Sequence, residues 1–126
     1  MKQLTKAEEQ IMHVLWELEK GYIRDILEHL PSPKPAYNTV STITRILEKK
    51  EFVGYTAFGK AHEYYPLISK KLYRKNFYKG FVQNYFSNSY QAITSFFAND
   101  EDLSLNELED LRKLLDKEIE KKSKEK

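Results

Sequence analysis

Three prolines fall within five residues in "PSPKP", Pro31 to Pro35, and no regular helix runs through such a stretch. Each proline removes a backbone N–H donor and clashes with the carbonyl one turn earlier, and each forces its predecessor towards extended backbone. The N-terminal part of the chain is thereby cut into short pieces that must bury their apolar faces against one another. Upstream, "LTKAEEQIMHVLWEL" opens with Thr5 and Glu8 in capping-box spacing. Ala7, Ile11, Val14, Leu15 and Leu18 then recur at three and four, which predicts an amphipathic helix ending before Gly21. Met12 and Trp16, one turn apart on a neighbouring stripe, are expected to be packed. "YIRDILEHL" predicts a second, short helix with Ile23, Ile26, Leu27 and Leu30 apolar.

Beyond the prolines, "AYNTVSTITRILEKK" predicts a third helix. Its apolar stripe is Ala36, Val40, Ile43 and Leu47, with Ile46 beside it, and its opposite face carries Asn38, Ser41, Thr42, Arg45 and Lys49. The period then changes. Phe52, Val53, Tyr55, Phe58, Tyr64 and Tyr65 are strand formers interrupted by "FGKA", whose Gly59 suits a tight turn, so a two-stranded hairpin follows. Past Pro66, "ISKKLYRKNFYKGFVQNYFS" predicts a long helix capped by Ser69. Leu72, Phe77, Phe81 and Tyr85 mark one face, which Tyr73, Tyr78, Val82 and Phe86 widen. "SYQAITSFF" predicts a further helical segment. The last helix has Ser104 and Glu107 as a second capping box and Leu108, Leu111, Leu115 and Ile119 as an apolar seam. The fold class is mainly α with a small β-hairpin wing: an N-terminal winged helix–turn–helix over residues 1–66 and a C-terminal helical arm over 67–126.

The third helix poses a problem of its own. Asn38, Thr39, Ser41, Thr42 and Thr44 crowd its first two turns, although such side chains compete with the helical backbone for hydrogen bonds. In a helix, helix, helix, hairpin order the third helix is the one that enters the DNA major groove while the hairpin touches flanking backbone. There, short donors and acceptors reach base edges and phosphates without blocking close approach. Asn38 suits adenine, hydroxyls bond either way, and Arg45 suits a guanine edge or a phosphate. A merely solvated face would carry mixed Glu and Lys, yet Asn38 to Leu47 contains no carboxylate to repel phosphate. The alternative is a winged helix used as a protein-interaction module without DNA contact. It calls for an apolar patch or acidic residues on this helix, and neither is present, although Tyr37 suits both readings.

Several function classes are excluded or unsupported. Without cysteine there is no disulfide framework, thiolate metal site or cysteine nucleophile. The N-terminal "MKQLTKAEEQ" lacks the apolar core of a signal peptide, and no apolar run reaches the roughly 20 residues that span a bilayer, so a cytoplasmic protein without membrane insertion is expected. His13, His29 and His62 fall in separate elements with no ligand spacing, and the glycines at 21, 54, 59 and 80 are isolated. No enzyme, metal site or cofactor is expected.

"LTKAEEQIMHVLWE", "AYNTVSTITRILEKKEFV" and "GKAHEYYPLIS" resemble the penicillinase-repressor (BlaI/MecI/CopY) family of bacterial winged-helix repressors. The resemblance runs from Leu4 to about Leu72 and returns at "NDEDLSLNELEDLRKLL". It implies a homodimeric transcriptional repressor on a palindromic double-stranded DNA operator. It assigns base and nearby backbone contacts to Asn38, Thr39, Ser41, Thr42 and Arg45, and wing contacts to Lys60 and His62. It also implies a membrane sensor or protease acting on the C-terminal arm. Phe96–Phe97 stands where antibiotic-responsive members have an Asn–Phe cleavage pair, so that asparagine is absent, and "FFANDEDLS" remains as the accessible link. The copper-responsive mode of other members uses C-terminal cysteines, which this chain lacks.

The arm's composition is consistent with pairing. Tyr73 to Phe97 holds nine of the 17 aromatic residues, and three amphipathic helices of this kind do not bury themselves well against a small winged helix. Phe77, Tyr78, Phe81, Tyr85, Phe86, Ile93, Phe96 and Phe97, with Leu108, Leu111 and Leu115, are the candidates for a dimer contact. Residues 69–99 hold five basic and no acidic side chains. The cluster Lys70, Lys71, Arg74, Lys75 and Lys79 is either a source of phosphate attraction or a solvated face.

Overall fold

The computed structural model describes residues 2–125, which divide into two compact units at Phe77 and Tyr78. In the first, α1 (Lys6–Leu18), α2 (Ile23–His29) and α3 (Tyr37–Lys49) precede an antiparallel hairpin of β1 (Val53–Phe58) and β2 (Ala61–Pro66). The first turns of α4 (Lys70–Phe86) complete this unit. The capping box on α1 is formed: Thr5 Oγ1 accepts from the Glu8 amide at 3.2 Å and Glu8 Oε1 accepts from the Thr5 amide at 2.9 Å. The hairpin turns through Gly59 and Lys60, with Gly59 at φ +63°, a left-handed value glycine adopts without a Cβ penalty.

Ile11, Met12, Leu15, Ile26, Val40, Leu47 and Phe52 make a sealed core shared by the three helices and the hairpin. Each such side chain contributes about 1.5–3 kcal/mol relative to exposure. Three features depart from the stripes read in the sequence. Ala7 is exposed while Glu8 is buried, and Ala36 is the exposed residue before α3 while Thr44 is fully buried. Ile46 is exposed as well. Thr44 enters the core at little polar cost because its hydroxyl donates to the Val40 carbonyl at 2.7 Å. Glu8 enters because Lys50 meets it: the ammonium lies 2.9 Å from Oε1, which it hydrogen-bonds, and 2.8 Å from Oε2, which it holds by charge alone. Burial alone would raise the Glu8 pKa, but the bonds from Lys50 and Thr5 outweigh it and hold the carboxyl below its ordinary value.

The wing is tied to the helices by one short bridge. Gly21 and Tyr64 exchange backbone hydrogen bonds of 2.9 and 2.8 Å, so the segment before α2 pairs with β2. The start of α4 is tied to α1: the Trp16 indole N–H donates to the Ile68 carbonyl at 2.8 Å, and the Tyr73 hydroxyl donates to Glu9 at 2.6 Å. Burial, reinforced by the Glu9 carboxylate, pushes the Tyr73 hydroxyl well above the ordinary tyrosine range.

The end of α3 is a Schellman turn. The amides of Glu51 and Phe52 reach back to the carbonyls of Glu48 and Leu47, at 3.0 and 2.9 Å, and Glu51 sits at φ +66°. A side chain there strains the backbone, so Glu51→Gly is expected to stabilise the protein by about 0.5–1 kcal/mol in urea unfolding. A lower midpoint for the variant would mean that the Glu51 side chain contributes more than its backbone costs.

The second unit comprises the C-terminal part of α4, α5 (Tyr90–Ala98) and α6 (Leu105–Lys124). Ser89 and Ser104 cap α5 and α6, the latter with the complete Ser104–Glu107 box. Among its described residues Val82 alone is a buried hydrophobic. The α4 face read in the sequence is displaced accordingly: Tyr73 and Val82 are the buried residues of this helix, whereas Leu72, Phe77, Phe81 and Tyr85 are exposed. Each unit draws in a different residue of α4, so no single stripe describes it.

Candidate nucleic-acid interface

The packing of α3 decides which of its residues face outwards. Val40, Thr44 and Leu47 lie in the core at spacings of four and three, and this turns Asn38, Thr39, Thr42, Arg45 and Lys49 to solvent with Ser41 half-buried beside them. Tertiary packing thus holds a helix whose outer face has poor propensity. The Thr42 hydroxyl donates to the Asn38 carbonyl at 2.9 Å, which satisfies its proton and leaves its oxygen lone pairs and methyl outward. No acidic residue stands in the first turn of α3.

The exposed face borders an open groove of about 510 Å³ between α2, α3 and the hairpin. Ser41 and Arg45 line it from α3, and Lys60 and His62 line it from the wing. Four of the seven residues expected to touch DNA are therefore brought around one concavity. Asn38, Thr39 and Thr42 do not line it; they occupy the open outer surface of α3. Tyr22, Arg24, Asp25 and Tyr37 line it as well. Of these, Tyr22, Arg24 and Asp25 carry no signal in the sequence, where residues 22–30 show only an apolar stripe.

His62 is held in the groove wall by stacking on Tyr55, with ring centroids 4.0 Å apart and planes 11° from parallel. The register explains this, since His62 lies opposite Ala57, and Tyr55 opposite Tyr64, on the same face of the hairpin. Tyr64, at the groove floor, is buried; burial first, and then the charge of Glu48, raise its hydroxyl pKa, while the positive charge of Arg45 opposes the rise. Asp25, the one acid of the lining, is occupied, accepting from the Tyr22 amide at 2.9 Å. Lys50, by contrast, is committed to Glu8 and to the Gln3 carbonyl and belongs to the structure rather than the face.

The residues expected to pair two chains lie elsewhere. Phe77, Tyr78, Phe81, Tyr85, Phe96, Phe97, Leu111 and Leu115 are exposed, and Phe86, Ile93 and Leu108 are half-buried. Phe86 and Phe96 meet edge to face at 5.8 Å, and Phe81 and Phe86 lie tilted to each other at 5.5 Å. Among the described residues no cluster of metal-ligating side chains is present, and no helix is long and apolar enough to cross a membrane.

The chain is similar to several known proteins. The methicillin resistance regulatory protein MecI of Staphylococcus aureus (strain N315) is 26% identical over 116 residues, covering 91% of this chain and 94% of that protein. MecI of Mammaliicoccus sciuri is 27% identical over 120 residues with the same coverage. A solved CopR repressor chain aligns over 54% of this chain and 100% of its own, at 28% identity and a TM-score of 0.45. The family model described as penicillinase repressor matches residues 4–117. With nearly the whole chain inside that match, the protein belongs to the penicillinase repressor family of DNA-binding transcriptional regulators.

Proposed function

We propose that the protein represses transcription as a homodimer, each copy placing α3 in a major groove of a palindromic operator and its wing on the adjoining backbone. The observation that carries this is the groove in which Ser41 and Arg45 of α3 meet Lys60 and His62 of the wing, next to an α3 face free of carboxylates. Asn38, Thr39, Ser41, Thr42 and Arg45 make the base-edge and nearby phosphate contacts, and Lys60 and His62 hold the flanking strand. Residues 1–66 are the DNA-binding domain and residues 67–126 the dimerisation domain. The second copy is called for by the arm itself, whose α5 and α6 have no buried residue. Leu111, Leu115 and Ile119 repeat every four residues along α6 and are 45%, 60% and 61% exposed, a seam that a second seam would cover. Such a regulator acts in the cytoplasm. Its release follows attack by a membrane sensor or protease on the arm, with the largely exposed 99–104 link as the open stretch.

Selection from a random duplex library tests the reading. The expected product is an inverted repeat, since twofold-related recognition helices reach successive major grooves. On that sequence Arg45→Ala is expected to weaken binding by roughly 1–3 kcal/mol, and Lys60→Ala to lower the salt slope by about one per protomer. If wild-type protein and a combined Arg45→Ala, Lys60→Ala variant are retained equally on duplex DNA, the fold serves protein contacts instead. A single unpaired half-site as the preferred target would exclude dimeric binding.

A further inference from the structure

Besides α3 and the wing, α2 lines the groove, and no residue of α2 has a role in the reading above. Arg24, in the first turn of α2, lines it, as does Tyr37, the first residue of α3. Arg24, Arg45 and Lys60 are all exposed, and among the described residues none of the three stands in an ion pair. Three permanent cations therefore face one concavity whose single carboxylate, Asp25, is turned to the Tyr22 backbone. Unpaired guanidinium and ammonium groups so placed repel one another and are relieved by an anion between them. A compact anion is not enough to occupy an open channel of about 510 Å³ with walls on three elements. A chain of phosphates is. Tyr22 and Tyr37 add aromatic faces with hydroxyl donors, groups that contact phosphate and sugar rather than a base edge.

The geometry points to this groove as the track of one DNA backbone strand, in which Arg24 is a phosphate clamp and Tyr37 a positioning donor. The inference rests on the DNA-binding reading above and adds a wall to the interface. With α3 and the wing alone, the strand is held from two sides. With α2 it is held from three, so Arg24 fixes how far α3 enters the groove without reading sequence itself. Asn38, Thr39 and Thr42, outside the concavity, remain the residues placed to meet bases.

The test uses full-length protein and fluorescence anisotropy on two duplexes, the selected inverted repeat and a random sequence of equal length, over a salt series. Arg24→Gln and Tyr37→Phe are compared with Lys121→Gln, a charge-matched change on the exposed last turns of α6. A phosphate clamp predicts that Arg24→Gln weakens both duplexes by the same factor, about five- to thirtyfold, and lowers the salt slope by about 0.9 per protomer. Tyr37→Phe weakens both duplexes equally with the slope intact, and Lys121→Gln leaves both curves in place. Wild-type affinity and slope for Arg24→Gln, with wild type itself binding, would overturn the clamp and leave the DNA-binding reading standing. A loss confined to the selected sequence would also overturn it, because Arg24 would then be reading a base. If wild type shows no salt-dependent binding to either duplex, both the reading and the clamp fall together. Arg24 and Tyr37 are exposed, so unchanged thermal melts of the variants are expected and verify that the effect is on binding.

Discussion

Replacing Leu111 and Leu115 together with aspartate is expected to leave each protomer folded and to abolish pairing. Both side chains stand on solvent in the single chain, so the change removes no core contact. It places two carboxylates where a second seam would have to desolvate them, at a cost far above the loss of two leucines. Binding to a two-half-site duplex then loses the effective concentration that links the second half-site to the first, and affinity falls by about 10²–10⁴-fold. Affinity for an isolated half-site is unchanged. Light scattering gives the mass and anisotropy gives the two affinities. A variant that remains dimeric and binds as wild type would place the pairing surface elsewhere, on the aromatic faces of α4 and α5.

The second large effect concerns stability. Lys50→Met keeps most of the apolar stem of Lys50 but removes the ammonium that neutralises Glu8, whose side chain is only 4% exposed. Breaking a buried pair at one end costs about 3–5 kcal/mol; because the Lys50 side chain is itself 23% exposed, about 2–4 kcal/mol at pH 7 is expected. The sign of the pH dependence follows from the direction of the Glu8 shift. Its folded pKa lies below the ordinary 4.5, so its contribution is fully present above that value and is lost as pH falls through the depressed one. In Lys50→Met the lowering by Lys50 is gone and burial works against the charge. Protonating Glu8 then removes the need for a partner, so the difference between wild type and variant is widest at pH 7 and shrinks below pH 4.5. Urea unfolding of both proteins at pH 7 and pH 4 measures it. A difference that stays constant with pH would mean that Lys50 acts through packing and that the pair is incidental.

The same residues illustrate how far the sequence could be read. The capping pair Thr5–Glu8 was legible from its spacing, yet that spacing says nothing of what else the carboxylate meets. Lys50 lies 42 positions away, and only the fold of α3 against α1 brings it within 2.9 Å. Thr44 is one of the short polar residues that crowd the first turns of α3, and neither stripe read in the sequence includes it. It is sealed in the core, because its hydroxyl is satisfied inside its own helix and its methyl packs as an aliphatic group would. On α4 the apolar residues surround the helix, so periodicity alone could not say that Tyr73 and Val82 are the ones drawn in.

Element order, the caps of α1 and α6, the turn at Gly59 and the carboxylate-free outer face of α3 were determined by the sequence alone. Each depends on residues within a turn or two of one another, where propensity, hydrogen-bonding reach and periodicity act directly. The partners across those elements were decided only by tertiary structure: Glu8 with Lys50, Gly21 with Tyr64, and the groove that gathers Arg24 and Tyr37 with Lys60 and His62. Such meetings depend on how whole faces dock, and docking is governed by the shape and burial of the entire core rather than by any local run of residues.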